Sequence, residues 1–99
     1  MISDVRVRSN RIEVYDENSR KVSDMNESER DVVAFTGSFF VVTYNSRIEV
    51  YNKKCHKISD MNGSNREVHG ASGETFTVRY NKQIEVYDED CKRLSSKSI

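Results

Sequence analysis

The stretch Arg11-Ile12-Glu13-Val14-Tyr15-Asp16 returns as Arg47-Ile48-Glu49-Val50-Tyr51-Asn52 and again as Gln83-Ile84-Glu85-Val86-Tyr87-Asp88, each copy 36 residues after the last. In every copy two aliphatic residues alternate with a glutamate and a tyrosine, the two-residue period of a strand with one face better buried than the other. The same offset carries Ser23-Asp24-Met25-Asn26 to 59–62, Tyr44-Asn45 to 80 and 81, Arg30 to Arg66, Gly37 to Gly73 and Cys55 to Cys91. Without any gap, residues 28–63 and 64–99 agree at 14 of 36 positions, and residues 1–27 and 37–63 at 11 of 27. The chain therefore reads as one repeat domain over 1–99, with units 1–27 (partial), 28–63 and 64–99. A fixed period of roughly 20 to 50 residues marks arrays whose units bury their apolar faces only against neighbours.

Within the middle unit the pattern predicts strand a at 31–36, a turn at Gly37-Ser38, strand b at 39–44, a turn at Asn45-Ser46, strand c at 47–52, and a weaker strand d near 55–59. Strand b, Phe-Phe-Val-Val-Thr-Tyr, is apolar on both faces, as an inner strand should be. Asn45-Ser46 and Asn81-Lys82 put asparagine, which tolerates left-handed backbone, where a two-residue hairpin needs positive φ. Four short antiparallel strands repeated end to end describe the blade of a β-propeller, so the expected fold is all-β: a partial β-propeller of about 2.75 four-stranded antiparallel blades. The first unit lacks strand a, and the tail Ser95-Ser96-Lys97-Ser98-Ile99 offers no convincing strand to complete it. Where the middle unit has Phe40, Val42 and Tyr44 on one face of strand b, the first has Asp4, Arg6 and Arg8, a charged outer face suited to a terminal unit.

Composition agrees and narrows the class. Of 99 residues, 18 are valine or isoleucine against one leucine and two alanines, a β-branched excess that suits pleated sheet. Sixteen basic and sixteen acidic residues cancel, and no unit carries the charge asymmetry of a nucleic-acid or membrane-surface binder. No apolar run approaches the roughly 18 residues of a bilayer span, and Met1-Ile2-Ser3-Asp4-Val5-Arg6 lacks the apolar segment of a signal peptide. Two cysteines are too few for a disulfide-dense secreted scaffold. The expectation is a cytoplasmic protein that binds neither nucleic acid nor membrane.

The order Gly37-Ser38-Phe39-Phe40-Val41-Val42, Ile48-Glu49-Val50-Tyr51-Asn52, Lys57-Ile58-Ser59-Asp60-Met61-Asn62 and then Arg66 resembles the kelch repeat over nearly the whole chain. The likeness rests on a glycine before an aromatic-aliphatic strand, a Glu-Val-Tyr strand, a closing methionine and a following arginine. The sequence departs from kelch in having Thr43-Tyr44 and Arg79-Tyr80 in place of a double glycine, and Ser19, Cys55 and Cys91 in place of a tryptophan. Its period is also shorter than the roughly 50 residues usual there, so the repeats resemble trimmed kelch units. The resemblance implies a propeller module that binds proteins, of the kind that binds actin or presents substrates to cullin-type ubiquitin ligases.

Candidate chemistry is sparse. Cys55-His56, His69 and Cys91 show neither C-x-x-C nor H-x-x-x-H spacing, so no metal or other cofactor is expected. Cys55 and Cys91 are read as small buried hydrophobes, and adjacent Cys55 and His56 would point to opposite faces of a strand, away from nucleophilic catalysis. The acidic groups Asp16-Glu17 and Asp88-Glu89-Asp90 fall in the c–d turn, where aspartate serves local hydrogen bonding. Glu13 and Glu49, with Arg11 and Arg47 two residues earlier on the same face, suggest same-face or cross-strand ion pairs, and Tyr15, Tyr51 and Tyr87 suggest packing between units. No enzyme activity is expected.

Geometry places any binding site at an edge of the stack. The b–c hairpins and d–a links share one edge, which the resemblance makes the partner-binding face; its residues are Asn45, Ser46, Arg47, Asn81, Lys82 and Gln83 with Asn62, Ser64 and Asn65. The expected function is protein–protein interaction. The alternative is a propeller fragment or designed repeat that self-associates through its open blade edges to complete a ring.

Overall fold

The computed structural model describes residues 1–98; Ile99, the end of the expected tail, lies outside the described residues. Eleven strands follow in order: β1 Ile2–Arg8, β2 Arg11–Asp16, β3 Lys21–Asn26, β4 Asp31–Phe35, β5 Phe39–Tyr44, β6 Arg47–Asn52, β7 Lys57–Asn62, β8 Arg66–Ser72, β9 Thr75–Tyr80, β10 Gln83–Asp88 and β11 Arg93–Ser98. They form three antiparallel meanders, β1-β2-β3, β4-β5-β6-β7 and β8-β9-β10-β11, and the described residues contain no helix. The all-β reading therefore holds, and the first sheet lacks the strand that β4 and β8 supply to the others.

The tight turns have local causes. Asn45 and Ser46 both have positive φ (54° and 63°), the paired left-handed residues of a hairpin whose twist matches its strands. Ser9-Asn10 repeats that geometry, and Asn81 has φ 55°. Strand d begins later than the sequence suggests, at Lys57 rather than 55, because the turn before it is longer. There the Asn52 carboxamide accepts hydrogen bonds from the backbone N–H of Lys54 (2.9 Å) and His56 (3.1 Å), and Cys55 is left-handed at φ 61°. Asp16 and Asp88 hold the equivalent turns in the same way, through Asn18 and Arg20 and through Asp90 and Lys92. The acidic c–d turns are thus partly explained by capping. The tail as far as Ser98 belongs to a strand as well, but β11 pairs with β10 of its own sheet rather than with the first.

Two apolar layers join the three sheets. Between the first and second lie Ile2, Ile12 and Val14 against Phe40, Val42 and Tyr51. Between the second and third lie Phe39, Val41, Ile48 and Val50 against Phe76, Val78 and Tyr87. The middle sheet is therefore buried on both faces, and Phe39 through Val42, Ile48 and Val50 are fully inaccessible. Its strand c is buried on the second face as well: Glu49 and Tyr51 are covered by the first sheet. The outer sheets are each covered once. The sheets come closest along their leading strands, β4 beside β8 and β1 beside β4, where Ala34, Gly70 and Ala71 line a groove.

Candidate interaction site

The residues read from the sequence as a binding edge do share one edge. Each d–a link is tied to the preceding b–c hairpin by a main-chain bond: Gly63 N–H donates to Ser46 O (2.8 Å) and Glu27 N–H to Asn10 O (3.0 Å). Gly63 suits this approach, since a Cβ there would come within 3.1 Å of the Arg47 backbone. Asn45, Ser46, Arg47, Asn62, Ser64, Asn65, Asn81, Lys82 and Gln83 are all exposed. Some have structural duties: Asn62 accepts the Ser64 N–H (2.9 Å), and Arg47 pairs with Asp60 (2.8 Å). A shallow hollow of about 450 Å³ opens beside Asn81, Lys82 and Gln83, with Tyr80 and Arg93 on its walls.

The opposite edge holds a hollow of about 800 Å³, lined by Lys53 and Lys54 with Glu74 and Glu89 beside Gly37. Sequence reasoning did not single it out, because its charges come from turns of different units that only the stacking brings together.

Below the hairpin edge runs a repeated polar device inside the interfaces. Tyr51 donates its hydroxyl hydrogen to Glu49 (2.9 Å), and Arg30 reaches the same carboxylate from 3.4 Å while its guanidinium lies over the Tyr44 ring at 4.4 Å. In the third sheet Tyr87 donates to Glu85 (2.9 Å), Arg93 reaches it at 3.2 Å, and Arg66 stacks on Tyr80 at 4.0 Å. Arg66 Nε is buried without a hydrogen-bond partner; Glu85 Oε1 lies 3.9 Å away, close enough for attraction only. Burial and the glutamate hydrogen bond push both tyrosine pKa values up. Ion pairs at these glutamates are thus present, but with other partners than the sequence suggested: Arg11 and Arg47 turn to Asp24 (2.6 Å) and Asp60 (2.8 Å) on the next strand. The recurrence of Arg30 at Arg66 was the signal for the true partners, which lie too far away in sequence to be paired by spacing.

The cysteines join neighbouring sheets. Ser59 on β7 donates to Glu89 O (2.6 Å) of the next unit and lies 3.1 Å from Cys91 Sγ, and Ser23 on β3 makes the same contacts with Lys53 O and Cys55. Both thiols are free and half-buried, and burial pushes their pKa values up, away from a thiolate nucleophile. His56 is exposed, and His69 pairs with Glu67 at 3.0 Å on the surface. A comparison with protein-family models and with curated proteins found no match for this chain.

Proposed function

We propose that the chain is a kelch-like, partial β-propeller module that binds another protein through the edge built from its b–c hairpins and d–a links. The observation that carries this reading is the pairing of each hairpin with the following link. It lines up Asn45, Ser46 and Arg47 with Asn62, Ser64 and Asn65 as one exposed polar strip that the core does not need. Rigid sheets holding short exposed loops are a common scaffold for recognition. Support for the propeller arrangement comes from the closeness of β1, β4 and β8, the leading strands about which such sheets would fan. Two free, half-buried thiols fit a reducing cytoplasmic setting.

The test is a pair of surface variants. Arg47→Glu with Lys82→Glu alters the hairpin edge, and Lys53→Glu with Lys54→Glu alters the opposite edge. Proteins cross-linked to the unaltered chain in cells should be lost with the first pair and kept with the second. Partners retained by the first pair and lost by the second would move the site to the other edge. Ring completion by self-association is the second reading, favoured by Ile84 and Val86, which face outward and half-buried on the third sheet. Light scattering after size exclusion separates the two, because a sharp dimer favours the ring and a monomer the binding module.

A further inference from the structure

We infer that the open edge of β1 is an acceptor for an extended strand of another polypeptide, one that alternates acidic residues with small apolar ones. In the second and third sheets the corresponding strands, β5 and β9, are each flanked on this side, by β4 and by β8. Within its sheet β1 pairs with β2 alone; Ile2 N–H donates to Gly37 O (2.8 Å), and beyond it the outer row of backbone N–H and C=O groups has no partner strand. Beside that edge lies an open groove of about 500 Å³ whose apolar walls include Val5, Val7, Val32, Phe35 and Ala71. Val7 is 48% exposed and Phe35 39%, although both sit where the other sheets bring their leading strands together. An unpaired strand edge over an apolar groove is the arrangement by which sheets take up extended peptides.

The filled positions in the same molecule show what the vacant one accepts. Opposite Val41 the leading strand of the second sheet places Ala34, packed against the layer shared with the third sheet, so the position opposite the equivalent Val5 calls for a small residue against β4. On the other face the match must change. Opposite Val42 and Val78 stand Val32 and Val68, but β1 has Arg6 at that position and Arg8 two residues on. Arg6 is drawn to Asp4 (2.7 Å) and Arg8 only loosely to Glu13 (3.9 Å), and both arginines remain exposed. Acidic side chains opposite Arg6 and Arg8 would pair across the strands, while basic ones would meet like charge. This site is separate from the hairpin edge and does not depend on it.

The probes are labelled peptides as long as β1, one alternating glutamate with alanine and one alternating lysine with alanine, followed by fluorescence anisotropy. The glutamate peptide should bind the full chain more weakly as salt rises, and the lysine peptide at least about tenfold less tightly. In the double variant Arg6→Glu with Arg8→Glu the preference should reverse, while Arg47→Glu with Lys82→Glu should leave binding unchanged. Hydrogen exchange on the unaltered chain needs no variant: the glutamate peptide should slow the amides of Val5 and Val7, which point to the open edge of β1, and not those of 39–44. The proposal fails if neither peptide binds, if charge reversal leaves the preference intact, or if exchange at β1 is unaffected. It fails too if the free chain is already a dimer protected at β1, because the edge is then filled by a second copy.

Discussion

Val50 and Val86 occupy the same place in successive units, and the stack makes them unequal. Val50 is fully inaccessible between the second and third sheets, whereas Val86 lies on the outer face of the third and is half-buried. Changing Val50 to Asp removes about 1.5–3 kcal/mol of side-chain burial. It also places a carboxylate among the apolar side chains of Phe39, Phe76 and Val78, at a further several kcal/mol. A domain of 99 residues has about 5–15 kcal/mol in all, so Val50→Asp should abolish the cooperative transition. Val86→Asp keeps its charge at the water and should cost about 1 kcal/mol, lowering Tm by about 4–8 °C. Thermal unfolding followed by far-ultraviolet circular dichroism measures both. A full transition in Val50→Asp would refute the assignment of faces, and equal damage from the two changes would refute the order of the stack.

Truncating Glu85 to Ala strands the stacked, half-buried Arg66 guanidinium and should cost about 3 kcal/mol in urea unfolding, against about 1 kcal/mol for Glu13→Ala on the outer face of the first sheet. Ser59→Ala removes the bond to Glu89 O that ties the second sheet to the third; a loss of about 1 kcal/mol is expected, additive with Ser23→Ala because the two bonds lie in different interfaces. Stability should also fall at both extremes of pH. The side-chain hydrogen bonds from Arg11 and Lys21, and from Arg47 and Lys57, hold Asp24 and Asp60 below the ordinary carboxylate value of about 3.9. Their contribution is complete above that value and is lost as pH falls through the folded values. Tyr51 and Tyr87 are raised by burial, so theirs is complete below about pH 10 and is lost as pH rises through the folded values. A Tm that rises below pH 4 or above pH 10 would contradict the corresponding arm.

The parts of the fold that depend on neighbours in sequence were legible. The two-residue period marked the strands, and asparagine at Asn45 and Asn81 marked the hairpins, because each signal lies within a few residues of its effect. Strand d was misplaced because the turn before it is set by the Asn52 carboxamide, whose reach across four residues hydropathy does not register. The partners of the buried glutamates were missed for a different reason. Arg30 meets Glu49 across 19 positions, and Arg47, the nearer arginine, is turned outward by Asp60. The apolar groove beside β1 was invisible for the same cause, since it gathers Val5, Phe35 and Ala71 from three units.

The two ends of the stack are altered on opposite faces, and that asymmetry bears on what the chain can join. The layer between the second and third sheets needs Phe39 and Val41 on one side and Phe76 and Val78 on the other. At the outer face of the third sheet the equivalents of Phe39 and Val41 are Thr75 and Thr77, although Ile84 and Val86 are kept. At the outer face of the first, the equivalents of Phe76 and Val78 are Asp4 and Arg6, and Glu13 and Tyr15 remain partly open to solvent where Glu49 and Tyr51 are buried. Docking the third sheet of one chain on the first sheet of another would bury the Asp4 and Arg6 ion pair against two threonines. The desolvation of such a pair is repaid only when further hydrogen bonds complete it, and this layer offers few donors for them. The internal layers gain about 25 cal/mol for each Å² of apolar surface they hide, a gain that a face of aspartate and arginine cannot match. End-to-end growth is therefore weak where packing is strong inside.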